Sequence, residues 1–410
     1  MSTVLPFEII DQVIDIVGDN NDTNLLKDLS LVSHSFHQIC SKHLFATIDL
    51  HDAKPSCHRE SSKKGFIKLL ESRPDVANYI RKLTYIVDRF EEDSMVSPKL
   101  PKLLRTISRL KCLAFTASQL DWNALGSSLT SALLYLMHLP TINHIDLSFI
   151  QNFPQSSLPP SVNLLRLDIY YLSPFNRYDE VDEDLSGIVI QSDMMPKIRE
   201  FNTCHSTVLT TKLLHAKRQD GLPAFNFMDL RQISMSLIQA KDEHNIRYLL
   251  QNAKLLEKFR LLVGYGQYLV GLRDILSYSA HVLKVLDFEV FLHDPSDLVP
   301  LGGLCQELEV MVGHNMLEAL SFQVNVEGHE SKDLIGSTIQ NVEHVLVGPG
   351  WPSLKQVSLK VSIACFLVSK AETAALSEAL QSLPNEYLSR LSQLESIVFN
   401  FSVSVVKCKT

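Results

Sequence analysis

The feature of this sequence that most restricts its fold is a short motif, apolar-x-x-apolar-x-apolar, that returns from residue 80 to the end of the chain at intervals of roughly 20 to 40 residues. Its first apolar positions are Ile80, Leu110, Ile142, Val162, Ile198, Leu230, Leu256, Leu283, Leu317, Leu354 and Leu394. The clearest copies are Leu256-x-x-Phe259-x-Leu261, Leu283-x-x-Leu286-x-Phe288, Leu317-x-x-Leu320-x-Phe322 and Leu394-x-x-Ile397-x-Phe399; Ile198-x-x-Phe201-x-Thr203 is weaker. The last positions of each copy alternate, as in a strand with one apolar face. Between copies the apolar spacing turns helical, as in Leu129, Leu133, Leu136 and Leu139, or Ile246, Leu249, Leu250 and Ala253. Strand and helix therefore alternate, which builds either a doubly wound sheet or a stack of repeats. Strands covered by helices on both faces are almost continuously apolar, whereas these carry polar residues on one face. The expected fold class is α/β, with parallel strands on the inside of an irregular leucine-rich-repeat-like solenoid and helices on its outside.

A different rule governs the first 45 residues. Pro6 suits the first position of a helix because its missing N–H would have no partner there, and Glu8 complements the positive end of the helix dipole. Ile10, Val13, Ile14 and Val17 give one apolar stripe, and Gly18-Asp19-Asn20-Asn21 stops the helix. Asp22 or Thr23 suits the cap of a second helix, with Leu25, Leu29 and Val32 on one side. A third begins after Ser33 and carries Phe36, Ile39, Cys40 and Leu44. A unit of this size buries little by itself, so it is expected to dock on something else. The expected organisation is a helical module over residues 1–46, a linker and helix over 47–79, and an array of about eleven irregular repeats over 80–410.

Composition excludes several functions. With 45% hydrophobic and 20% charged residues this is the sequence of a folded protein. A formal charge of −8 opposes phosphate-backbone binding, so nucleic acid is not an expected partner. No run of apolar residues is long enough to span a bilayer, and the acidic Glu8, Asp11 and Asp15 stand where a signal peptide would be basic and apolar. No membrane association is expected, and the location is expected to be cytoplasmic or nuclear. The seven cysteines, Cys40, Cys57, Cys112, Cys204, Cys305, Cys365 and Cys408, are odd in number and widely spaced, which suggests neither a disulfide framework nor a zinc motif.

The N-terminal segment resembles an F-box. That family opens Leu-Pro-x-Glu-Ile/Leu-Ile/Leu, matched here by Leu5-Pro6-Phe7-Glu8-Ile9-Ile10, and closes on a Leu-Val-Cys-Arg-x-Trp pattern, matched by Leu31-Val32-Ser33-His34-Ser35-Phe36. Ser33, His34 and Phe36 stand where Cys, Arg and Trp are usual. Lys42-His43-Leu44-Phe45 and the stretch Pro74 to Leu83 look like the fungal versions. The resemblance implies a substrate receptor of a ubiquitin ligase; the alternatives are a leucine-rich-repeat scaffold outside a ubiquitin ligase and, more distantly, an unrecognised enzyme. The receptor's F-box would bind a Skp-type adaptor, and through it a cullin, on a surface of Leu5, Pro6, Ile9, Ile10, Val13, Val32 and Phe36. No catalysis by the chain itself and no cofactor are implied.

The unknown protein target is expected on the polar face of the strands. There the alternation places His144, Asp146 and Ser148; Arg166 and Asp168; Glu200 and Asn202; Lys258 and Arg260; Asp287 and Glu289; Gln356, Ser358 and Lys360. From these, Asp146, Arg166, Asp168, Glu200, Lys258, Arg260, Asp287 and Glu289 are the candidate target-binding residues. Other chemical motifs are weak. His34, His37, Cys40 and His43 drift round a helix instead of converging on a metal, and a helix with Cys40 inward and solvated histidines accounts for them. Gly264-x-Gly266 with Gly271 misses the GxGxxG spacing, and His329-Glu330 lacks a second histidine. The acid run Asp179 to Asp184 reads as a solvated loop.

Overall fold

The computed structural model describes residues 6–20, 22–51, 62–87, 97–154, 158, 163–172, 189–190, 195–264, 273–292, 299–327, 332–366 and 370–408. It is a mixed α/β structure dominated by parallel strands, as the alternating motif predicts. The chain divides into two compact units, residues 1–196 with 215–225, and residues 197–214 with 226–410.

The first unit begins with three helices, α1 (Phe7–Asp19), α2 (Thr23–Ser30) and α3 (His34–Leu44). Asp22 caps α2, accepting from the Leu25 N–H at 3.1 Å, and Ser33 caps α3, accepting from the Phe36 N–H at 3.3 Å. Their shared core is Ile14, Leu26, Ile39 and Cys40, with Ile10, Val17, Leu29, Phe36 and Leu44 packed against it. Three positions depart from the expected stripes: Val13 and Val32 face outward, and Leu26 is buried in place of Leu25. Ile10, Ile14 and Val17 already fill the arc of α1 turned toward α3, and Val13 lies about 40° beyond the Val17 edge of that arc, toward Ile9 and Ile16.

Five parallel strands follow: β1 (Thr47–Leu50), β2 (Lys82–Val87), β3 (Cys112–Asp121), β4 (His144–Gln151) and β5 (Arg166–Tyr170). Each pairs with the next in chain order. Between them run α4 (Ser62–Ser72), α5 (Lys99–Leu104) and α6 (Ser127–Met137). β1 lies in the stretch read as linker. Only Ile48 and Leu50 alternate there, too few to stand out as a strand signal. The register sets Ile48, Leu83, Leu113, Ile145 and Leu167 directly opposite one another, a continuous apolar row.

The second unit repeats the rule with seven parallel strands, again paired in chain order: β6 (Glu200–Cys204), β7 (Gln232–Leu237), β8 (Lys258–Val263), β9 (Val285–Leu292), β10 (Ala319–Glu327), β11 (Gln356–Phe366) and β12 (Val398–Cys408). Its apolar row is Phe201, Ile233, Phe259, Leu286, Leu320, Val357 and Phe399. The connecting helices are α7 (Thr207–Leu214), α8 (Ala240–Asn252), α9 (Arg273–Leu276), α10 (Val299–Met311), α11 (Lys332–Val347), α12 (Lys370–Gln381), α13 (Leu383–Tyr387) and α14 (Ser389–Ser392). In the weak motif copy, Thr203 sits at an apolar position and is buried. Its hydroxyl is satisfied by Thr210 of α7 at 2.8 Å, which removes the cost of a polar group there.

Strand order within each unit explains why one face is polar. Crossovers between parallel strands are right-handed, so strands added always on the same side place every connecting helix on the same face. The apolar residues of both rows are buried beneath those helices, except Ile48 and Phe399 at the row ends, which are half-buried. The first apolar residue of each motif lies just before its strand and is also enclosed: Leu110, Ile142, Ile198, Leu230, Leu256, Leu283 and Leu317 are fully buried. Among the motif starts, Val162 falls outside the described residues, and Leu394 is half-buried.

Candidate functional site

Two surfaces stand out, an apolar one on the helical module and a polar one on the strands of each unit. On α1, Ile9, Val13 and Ile16 form a second stripe at i, i+4, i+7, parallel to the inward stripe of Ile10, Ile14 and Val17. They are exposed by 43%, 51% and 62%. Leu25 on α2, with Leu31 and Val32 at the turn into α3, is also exposed, Leu31 by 85%. A helix apolar on two sides is normally covered on both, and here one side is open. The expected adaptor residues divide accordingly. Ile9, Val13 and Val32 lie on the open side and Pro6 is exposed, while Ile10 and Phe36 pack inward and support the module. Leu5 lies outside the described residues. Ile16, Leu25 and Leu31 were not anticipated, because a sequence stripe shows which side is apolar and not which apolar side is covered.

Ion pairs lock the helices that carry this surface. Lys42 of α3 reaches Asp11 at 2.7 Å and Asp15 at 3.1 Å, and His43 contacts Asp15 at 2.8 Å. Partial burial pushes the Asp15 carboxyl up, but the hydrogen bonds from His43 and Lys42 outweigh it and hold it below the usual carboxylate range. His43 approaches α1 where Gly18 has no side chain; a Cβ there would run into the imidazole. The histidines of α3 are thus not simply solvated: His43 holds Asp15, and His37 lies 2.8 Å from the Arg73 guanidinium. Cys40 is fully buried, as its place in the stripe predicts.

On the polar face of the first unit, Cys112, His144 and Arg166 stand directly opposite on β3, β4 and β5. His144 Nδ1 lies 3.2 Å from Cys112 Sγ, and its Nε2 lies 2.8 Å from Asp168 Oδ2. Arg166 Nε donates to both Asp168 oxygens, at 2.9 and 3.2 Å. Asp168 is 2% exposed. Burial pushes the His144 imidazole down, but the hydrogen bonds with Asp168 and Cys112, together with the charges of Cys112 and Asp168, overturn this, pushing it up to about 9. Next along the strand, burial raises the Asp146 carboxyl and the Asp168 charge adds to that, while the Ser148 hydroxyl donates to it at 2.9 Å and opposes both.

In the second unit, Glu289 is the hub. Its Oε2 accepts from Arg260 at 2.6 Å, and its Oε1 accepts from Gln323 at 3.1 Å and Asn325 at 3.0 Å. Lys258 pairs with Asp287 at 3.4 Å. Both ion pairs run diagonally between β8 and β9, from one residue to the position two beyond its direct partner. Arg260, Gln356 and Lys360 are exposed, and Glu200 is half-buried.

The polar face is open to water only in part. Asp168, Ser148 and Asn202 are buried, and Glu289 keeps only 13% of its side chain exposed. Strands under 5 Å apart let neighbouring polar side chains bond to one another, and each such bond covers the tips of both partners. Cys112 and Gln323 belong to these networks although the motif did not single them out, and so does Asn325, which stands where the repeat pattern carries an Asn. Among the described residues, no group of histidine, cysteine and acidic side chains is arranged to hold a metal ion, and no helix is long and apolar enough to cross a membrane. The acid run 179–184, Gly266, Gly271 and His329-Glu330 fall outside the described residues.

No protein-family model matches this sequence, and no curated protein matches it with significant similarity.

Proposed function

We propose that this chain is the substrate-recognition subunit of a Skp-cullin-F-box type ubiquitin ligase. Residues 6–45 would be an F-box docking on a Skp-type adaptor, and the strand–helix units a leucine-rich-repeat solenoid holding a protein target. The observation that carries the reading is the second apolar stripe of α1, Ile9, Val13 and Ile16, which lies open beside Leu25, Leu31 and Val32. These residues lie within the segment that resembles an F-box, and they meet its need for a partner. Covering one such side chain contributes roughly 1.5–3 kcal/mol, so a handful supports a stable complex even after the cost of association. The target would lie on the polar strand faces, with Arg260, Lys258, Gln356 and Lys360 as the most accessible contacts.

The mechanism is positional. Holding a target lysine beside a thioester on a partner enzyme turns a bimolecular encounter into an effectively intramolecular one, and the chain contributes no reacting group. The test is co-purification of the full chain with a recombinant Skp-type adaptor, beside a variant carrying Leu31→Glu and Val32→Glu. Both residues are exposed, so the variant should fold with unchanged circular dichroism and lose the adaptor. Failure of the wild-type chain to bind, or undiminished binding by the variant, would refute the proposal.

A further inference from the structure

We infer that Cys112 is a peroxide-reactive thiol whose reaction is assisted by His144. This is independent of the ligase reading and rests on a nucleophile, proton donor and orienting carboxylate that three neighbouring strands bring together.

The chain of contacts runs Arg166, Asp168, His144, Cys112. Arg166 fixes the buried Asp168 carboxylate with two contacts from its Nε, and Asp168 accepts from His144 Nε2 and so fixes the plane of the ring. The other ring nitrogen then points at the Cys112 sulfur, 3.2 Å away. With its imidazole raised to about 9, His144 carries protons on both nitrogens at neutral pH, so Nδ1–H donates to sulfur. A nucleophile in contact with a ring that a third group orients is the arrangement shared by activated thiols and hydroxyls. The groups facing His144 are Cys112 of β3, Asp146 of its own strand and Arg166 and Asp168 of β5, with Lys82 of β2 opposite Cys112 in register.

The other cysteines described differ in kind. Cys40 and Cys305 are buried, and burial raises both thiols, Cys305 to about 11. Cys204 is as accessible as Cys112, but burial raises its thiol too and no imidazole contacts it. Reactive cysteines sit in electropositive, partly exposed surroundings, and of Cys40, Cys112, Cys204 and Cys305 it is Cys112 that meets both conditions.

The chemistry follows from what the group lacks. Acyl transfer needs donors aimed at a developing oxyanion in addition to a proton donor, and among the described residues His144 is the one side chain in hydrogen-bonding contact with the Cys112 sulfur. A peroxide needs only a nucleophilic sulfur and a proton. Sulfur attacks one peroxide oxygen, the O–O bond breaks, and a sulfenic acid forms on Cys112. The second oxygen leaves as hydroxide and becomes water with the proton from His144 Nδ1, which the thiol proton replaces in the overall balance. Sulfur is oxidised by two electrons and the peroxide is reduced by two.

The experiment treats the full-length protein with hydrogen peroxide, traps sulfenic acid with a 1,3-diketone probe and quantifies each cysteine peptide by mass spectrometry. Cys112 should label about tenfold faster than Cys204 at neutral pH, and His144→Asn should abolish most of that difference. Equal labelling of Cys112 and Cys204 in the wild-type protein overturns the proposal, and that comparison decides alone where His144→Asn does not fold. Fast labelling of Cys112 that survives unchanged in a folded His144→Asn variant also overturns it, because the assisting imidazole is then dispensable.

Discussion

The His144–Asp168 pair makes a prediction about pH whose size follows from its geometry. An imidazole raised from 6.5 to about 9 binds its proton more tightly in the folded than in the unfolded chain. Its contribution to stability is fully present below the unfolded value of 6.5 and is lost as pH rises through about 9. At about 1.4 kcal/mol per unit, the full effect is at most roughly 3.5 kcal/mol, and near pH 7.5 about 2 kcal/mol remains. With 24% of the side chain exposed, solvent screening reduces these values, and about half is a realistic expectation. The assay is urea denaturation of the wild-type protein and of His144→Asn at about pH 6, 7.5 and 9.5, followed by circular dichroism. The wild type should be the more stable by the largest margin at the lowest pH, and the two curves should converge at the highest. A stability difference that stays constant over this range, or grows as pH rises, would show that His144 is not held protonated by Asp168.

Other perturbations separate the roles of neighbouring residues. Ile14→Ala should cost about 2–5 kcal/mol by opening a cavity in the helical module, whereas the outward-facing Val13→Ser should change stability by under about 0.5 kcal/mol; thermal melts distinguish the two. Phe259→Ala empties the centre of the apolar row of the second unit and should cost about 3–5 kcal/mol in chemical denaturation, with Phe399→Ala costing less because that residue is only half-buried. Arg260→Glu should destabilise by about 1 kcal/mol through repulsion from Glu289, and adding Glu289→Gln, which removes the repulsion but keeps an acceptor for Gln323 and Asn325, should recover much of it; failure to recover anything would show that the pair is not coupled. Gly336→Ala should destabilise the packing of α11 on α13, since its Cβ would collide with the Tyr387 ring; an unchanged melting temperature would count against that contact.

The periodic motif carried most of the architecture by itself. A strand needs only local alternation to declare its two faces, and helical connectors declare theirs at a spacing of three and four, so rows such as Phe259, Leu286 and Leu320 are legible in the residue pattern alone. The same holds for the caps Asp22 and Ser33, whose chemistry acts within three residues. What tertiary structure alone decided is which of two apolar sides is covered, and which polar groups find one another. Val13 and Ile14 are equally apolar and adjacent, yet packing against α3 buries only Ile14. Asp168 reads as a surface acid, and becomes nearly inaccessible because Arg166 and His144 close over it. Cys112, His144 and Asp168 lie on three successive strands, 32 and 24 residues apart in the chain, and parallel pairing in register sets them side by side. No local pattern records that meeting, since it depends on the lengths of the connections between the strands and on the register in which they pair.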